Sequence, residues 1–103
     1  MIKAVFHKDE DKITSFKVEG HAGYAPSGRD VVCAAVSALV VGTINGLEVL
    51  TDATFDTAMS HGFTRLDIKV PTSYSNVLIN SMLLSLKCIQ EEYPDNLTVV
   101  ENK

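Results

Sequence analysis

The chain contains no tryptophan, three prolines and only two cysteines, and aromatic residues make up 7% of it. With so few cysteines a multi-bridge disulfide scaffold is excluded, and Cys33 and Cys88 both fall in predicted helices, so two free thiols in a reducing compartment are expected. Basic residues are also scarce. Nine Lys and Arg against 13 Asp and Glu leave a formal net charge of -4, which argues against a protein that grips nucleic acid through its phosphates. No CxxC or HxxxH pair occurs among His7, His21, His61, Cys33 and Cys88, so neither a metal nor another cofactor is expected. The opening MIKAVFHKDEDK lacks a basic segment followed by an apolar run and a cleavage site, and a cytoplasmic protein is expected. The longest apolar window, Val31 to Leu50, is interrupted by Ser37, Thr43, Asn45, Gly46 and Glu48 and reads as a buried helix, not a membrane span.

What is present suits one globular domain over residues 1–103: 46% hydrophobic and 21% charged residues, enough for a single core. Ile2, Ala4 and Phe6 alternate along a first strand from Met1 to His7. Lys12 to Glu19 alternates again, but Ile13 has the opposite parity to Phe16 and Val18, which predicts a bulge. Val31 to Leu50 then turns helical and is apolar nearly all round, so it needs cover from a sheet and from a second helix or a partner subunit. Thr54 to Ala58 and Phe63 to Val70 read as strands, with one face of the latter wet. Asn76 to Tyr93 reads as a second helix stopped by Pro94, and Asn96 to Glu101 as a last strand. The order strand, strand, helix, strand, strand, helix, strand predicts an α+β fold, with a mainly antiparallel or mixed sheet and both helices packed on one face. A homodimer is expected to cover either the other sheet face or the apolar helix.

The stretch Gly20 to Ala38, GHAGYAPSGRDVVCAAVSA, carries the chemistry. Asp30 is placed to cap the first helix, and Cys33 lies three residues inside it, where the positive end of the helix dipole favours a thiolate. Taken alone, Cys33 reads as a small packing residue and Cys88 as core; His7 and His61 read as turn or strand-end residues. His21 changes the reading of Cys33. It stands at the other end of one glycine-containing loop, placed as general base toward the thiol and then as general acid toward a leaving amine. Asp30 either caps the helix or orients the imidazole. Ser37, one turn below Cys33, either bonds the thiol or bonds back to a helix carbonyl. Backbone N–H groups at the helix start, that of Cys33 included, are the natural oxyanion donors.

GHAGYAPSGRDVVCAAVSAL resembles the defining segment of the bacterial ribosomal-processing cysteine proteases. In that segment a GHA motif precedes a loop, then a glycine, one residue, an aspartate, an aliphatic pair, Cys-Ala and a nearby serine. The resemblance runs through the whole chain to SLKCIQEEYPDNLTV. It implies a cytoplasmic, homodimeric endopeptidase without cofactor, acting on the N-terminal extension of ribosomal protein twenty-seven of the large subunit. It further implies Cys33 as nucleophile and His21 as base, with Gly20, Gly28, Asp30 and Ser37 on supporting motif positions. The loop of Ala22, Gly23, Tyr24, Ala25, Pro26, Ser27, Gly28 and Arg29 becomes a flap over the peptide. Family members often carry an acidic residue where this chain has Pro26, a departure that stiffens the flap. Neither a membrane nor nucleic acid is an expected partner. The alternative reading is a non-enzymatic dimeric module, ribosome-associated or thiol redox-sensing, in which Cys33 reacts but no peptide is turned over.

Overall fold

Alternation along the first two strands sets the sheet and decides which of its faces is dry. The computed structural model describes residues 1–26 and 28–103. The elements are β1 (Ile2–Asp9), β2 (Lys12–Glu19), α1 (Val31–Leu50), β3 (Thr54–Ser60), β4 (Phe63–Val70), α2 (Ser73–Glu92) and β5 (Leu97–Asn102). They form one five-stranded sheet in the order β3-β4-β2-β1-β5, antiparallel except where β5 runs parallel to β1. The parallel neighbour follows from the long crossover through α2, which a tight hairpin cannot replace.

Ile2, Ala4 and Phe6 of β1 are buried, while Lys3 and Val5 between them are exposed and half-buried, and His7 after them is exposed. Phe6 and Phe16 pair across β1 and β2 with ring centroids 5.8 Å apart. The predicted bulge is present: Lys8 pairs with Ile13 but His7 pairs with Ser15, leaving Thr14 as the extra residue. That insertion turns Ile13 to the dry face, where it is 1% exposed. Both helices lie over this face, and Val32, Val36, Val40 and Leu47 of α1 share one core with Ile79, Met82, Leu83 and Leu86 of α2. The opposite face is polar and wet. It carries the ion pairs Lys17–Glu19 and Arg65–Asp67, so it needs no covering partner.

Four sequence-based expectations change. First, α2 begins at Ser73, not Asn76, because Thr72 and Ser75 exchange hydrogen bonds in a capping box: the Thr72 hydroxyl accepts from the Ser75 amide and the Ser75 hydroxyl from the Thr72 amide. Asn76 instead bridges to the β1–β2 hairpin, accepting from the Ile13 amide and donating to the Asp11 carbonyl. Second, Cys88 is not core but exposed, since α2 turns that position away from the sheet. Third, α1 is not a buried helix on all sides. Its length and mean hydropathy of 1.8 would suit a membrane span, yet one side of it is built into the core of the sheet, while Val31, Val41, Val49 and Leu50 remain exposed. β3 also continues past Ala58 to Ser60, leaving only His61 and Gly62 in the turn to β4.

Candidate active site

Gly20 ends β2 with φ +98°, and a Cβ there would overlap the Met1 carbonyl. Only glycine fits that conformation in that space. Its amide donates to the Gly62 carbonyl at 2.9 Å, which fastens the end of β2 to the β3–β4 turn. The next residue, His21, therefore stands beside that turn. Its ring lies 5.1 Å from the His61 ring, centroid to centroid, and a Cβ on Gly62 would approach Cε1 and Nε2 of His21 to 3.0 Å. The imidazole thus rests on a surface that exists because position 62 has no side chain.

Ala22 is buried, and its amide donates to Sγ of Cys33 at 3.2 Å. The Ala22 carbonyl accepts from Nδ2 of Asn96 at 3.0 Å. Gly23, with φ +70°, then reverses the chain so that the amides of Tyr24 and Ala25 donate to Oδ2 of Asp30, at 3.0 and 3.3 Å. The Tyr24 ring meets Tyr93 edge-on at 5.3 Å, and the Arg29 amide donates to the Pro26 carbonyl at 2.9 Å. Ser27 lies outside the described residues.

Asp30 serves both sides of the loop. Its other oxygen, Oδ1, accepts from the amides of Val32 and Cys33 at 3.0 and 2.9 Å, which starts α1 and fixes the position of Cys33. The Cys33 amide, more than any other contact, holds the Asp30 carboxyl below its ordinary range; desolvation works against it, and the amides of Tyr24, Ala25 and Val32 add to it. Of the two roles left open for Asp30, the structure therefore shows the cap. No hydrogen bond runs from Asp30 to an imidazole among the described residues.

This occupancy also corrects the expected oxyanion donors. The amides of Val32, Cys33 and Ala34 are all committed to Asp30, the last to its carbonyl at 3.0 Å. Among the described residues, the backbone N–H that faces the sulfur is that of Ala22.

His21, Cys33 and Ser37 line one cavity of about 850 Å³ that runs between α1 and the β3–β4 hairpin. Gly20, Gly23, Ala25, Gly28, Arg29 and Asp30 border it as well. Its apolar wall is made by Val36, Val40 and Val41 facing Met59 and Phe63. Cys33 is half-buried, and Ser37 is exposed. The Ser37 hydroxyl makes neither of the two bonds considered for it, and no hydrogen bond joins His21 to Cys33, among the described residues. Cys33 and Cys88 are both free thiols. His7 is exposed on β1, and no group of three His, Cys, Asp or Glu side chains among the described residues is arranged to hold a metal ion.

Cys33, near the start of α1, and His21, just after β2, thus line one cavity. The family profile described as Cysteine protease Prp matches residues 1–98. The chain belongs to this family. A ribosomal processing cysteine protease Prp of Bacillus subtilis is 36% identical over 112 aligned positions, covering 99% of this chain and 98% of that protein. The Staphylococcus aureus Prp is 33% identical over 93 positions, covering 86% and 87%. A crystal structure of the S. aureus Prp with a covalently linked product peptide superposes with a TM-score of 0.94 at 29% identity, over 99% of this chain and 100% of that one. Another, holding a substrate peptide, gives 0.87 at 29% identity, with the same coverage. The Prp fold, a mixed sheet with two helices on one face, is thus the one expected from the order of elements.

Sequence reasoning missed two neighbours of this stretch, His61 beside the His21 ring and Asn96 at the Ala22 carbonyl. His61 was legible as a turn residue, but its place beside His21 depends on β2 pairing with β4. Asn96 reaches Ala22 from 74 positions away, and nothing local marks it.

Proposed function

We propose that residues 1–103 form one Prp domain that acts in the cytoplasm as a cysteine endopeptidase, removing the N-terminal extension of ribosomal protein twenty-seven of the large subunit. The observation that carries this reading is the shared cleft, which both Cys33 and His21 line and in which the Cys33 sulfur accepts from a backbone N–H. Peptide-bound crystal structures of the S. aureus Prp support a peptide as occupant of the corresponding space. The apolar wall of Val36, Val40, Val41 and Met59 suits the side chains of an extended segment.

In the proposed reaction, the His21 ring turns from its rest against His61 and Gly62 and takes the Cys33 proton. The thiolate attacks the scissile carbonyl carbon, and the tetrahedral intermediate collapses as the imidazolium gives its proton to the leaving amine. Water, deprotonated by the same imidazole, then attacks the thioester and returns the free acid and the thiol. Asp30 sets the start of α1, and so the sulfur position, without touching substrate. Gly20 makes the close strand end possible, while Ser37 lines the cleft one turn below the nucleophile. Ala22 to Arg29 serves as the flap.

A homodimer belongs to this proposal. Leu50, Tyr74 and Val77, at the end of α1 and the start of α2, line a small apolar depression, with Val49 and Leu84 exposed on the same helices. That surface suits a second copy better than the charged outer face of the sheet does.

The test is a synthetic peptide spanning the extension junction, incubated with reduced protein and followed by mass spectrometry. The wild type is expected to cut it, and Cys33→Ala and His21→Ala to leave it whole. Intact peptide after prolonged incubation with the wild type would overturn the reading. If the wild type left the peptide whole while Cys33 remained reactive to alkylation, the non-enzymatic thiol module would be the better account; cleavage by His21→Ala at the wild-type rate would remove His21 as the base.

A further inference from the structure

We infer that Asn96 is a positioning residue of the site, holding the Ala22 backbone so that its N–H stays on the reacting sulfur. The inference rests on the protease reading for its kinetics and on geometry alone for the thiol. Two hydrogen bonds converge on one buried residue. The Ala22 amide donates to Sγ of Cys33 at 3.2 Å, and the Ala22 carbonyl accepts from Nδ2 of Asn96 at 3.0 Å. They fix the two peptide planes on either side of the Ala22 α-carbon, and the first of these planes also carries His21.

Asn96 is itself held firmly. Its amide donates to the Tyr93 carbonyl at 3.0 Å, and its carbonyl accepts from the Ile2 amide at 2.9 Å, so its backbone is tied to both the end of α2 and the start of β1. Its side chain therefore reaches the loop from a rigid corner of the fold. Tyr93, three residues earlier, supports the same loop through the Tyr24 ring.

The consequence for chemistry follows from what a sulfur gains from a donor. An N–H aimed at Sγ stabilises the thiolate more than the thiol, because the charged form is the better acceptor. With the amides of Val32 and Cys33 committed to Asp30, the Ala22 N–H is, among the described residues, the backbone donor that faces this atom. Without the Asn96 donor the Ala22–Gly23 plane is free to rotate toward other partners, and Gly23, at φ +70°, offers little resistance. The Ala22 N–H then loses its aim.

The experiment uses the full chain in a Cys88→Ser background, so that alkylation reports Cys33 alone. Asn96→Asp keeps the volume and removes the donor; Asn96→Ala removes both, and two variants of different size leave one to decide if the other folds poorly. Iodoacetamide alkylation at neutral pH and junction-peptide cleavage are each measured. Both variants are expected to slow alkylation and lower kcat by about tenfold, the weight of one charge-assisted contact, with KM within about twofold. A folded Asn96→Asp protein that alkylates and cleaves at the parent rates would overturn the inference and leave the protease reading intact. If the parent alkylates readily but cuts no peptide, while the variants alkylate slowly, the inference stands and the protease reading falls.

Discussion

Adding a methyl group at Gly62 tests where the His21 ring rests. The substitution Gly62→Ala has two separable costs. Position 62 has φ +72°, and holding an L-residue in that region costs about 1–2 kcal/mol whatever surrounds it. The new Cβ would also lie 3.0 Å from Cε1 and Nε2 of His21, so the ring must shift by a few tenths of an ångström. His21 is exposed and can move, which limits this second cost to about 0.5–1.5 kcal/mol, the scale of a side chain pushed off its rotamer. A double-mutant cycle isolates it. Gly62→Ala is made in the wild type and in His21→Ala, and all four proteins are unfolded in urea. The loss in the wild type is expected to exceed the loss in the His21→Ala background by the second cost, while the backbone cost is common to both. In thermal melts each kcal/mol is worth roughly 4–8 °C for a domain near 100 residues. Equal losses in the two backgrounds would refute the placement of the imidazole on the turn, and with it the rotation that the proposed mechanism asks of His21.

The carboxyl of Asp30 titrates below its ordinary value of 3.8 in the folded chain, chiefly through the Cys33 amide. Its contribution is therefore complete above that value and is lost as pH falls through the folded pKa, so the wild type should melt progressively lower below about pH 4, and Asp30→Asn should flatten part of that limb. Glu101, lowered by Lys8 and then Lys87, leaves a residual acid slope that Asp30→Asn does not remove. For the dimer, light scattering at micromolar concentration should give twice the chain mass, and Val77→Glu together with Leu50→Glu should halve it. A monomeric wild type would sink the assignment of the apolar surface to a second copy, since a stable pair needs roughly 1,000 Å² or more.

The residues that declare themselves in the sequence are those whose role is local. Asp30 three places before Cys33 reads either as a cap or as a partner of the imidazole, and α1 begins where the cap reading puts it. The odd parity of Ile13 against Phe16 and Val18 exposes the bulge, because side-chain direction in a strand follows period two. The start of α2 was hidden because Ser73, Tyr74 and Ser75 look like loop residues. The signal was the Thr72-to-Ser75 spacing, in which a serine replaces the more familiar Glu or Gln of a capping box. The exposure of Cys88 was misread because apolar neighbours along a helix do not say which of its sides meets the sheet. His61 and Asn96 were out of reach for a deeper reason: each joins the site through strand pairing and a corner of the fold that no local pattern encodes.

Gly20 to Ala38 looked like a histidine and a cysteine joined by a flexible loop, but the contacts describe something more constrained. Ala22 is fixed from both sides by Cys33 and Asn96, Tyr24 and Ala25 donate to the carboxylate that caps α1, and the Tyr24 ring rests on Tyr93. A flap that lifted from Ala22 onward would break all of these together and would release the helix cap's second oxygen as well. Hinging after Ala25 would break none of them. The stiffness attributed to Pro26 therefore falls just beyond the last of these ties, where a proline limits how the loop can open without disturbing the sulfur. Asp30 couples the two ends of the loop, since the carboxylate that positions Cys33 also accepts from the Tyr24 and Ala25 amides of the proposed flap. Loss of that carboxylate should disturb the nucleophile and the flap at once, which is why Asp30→Asn is expected to change KM along with kcat, whereas Asn96→Asp changes kcat alone.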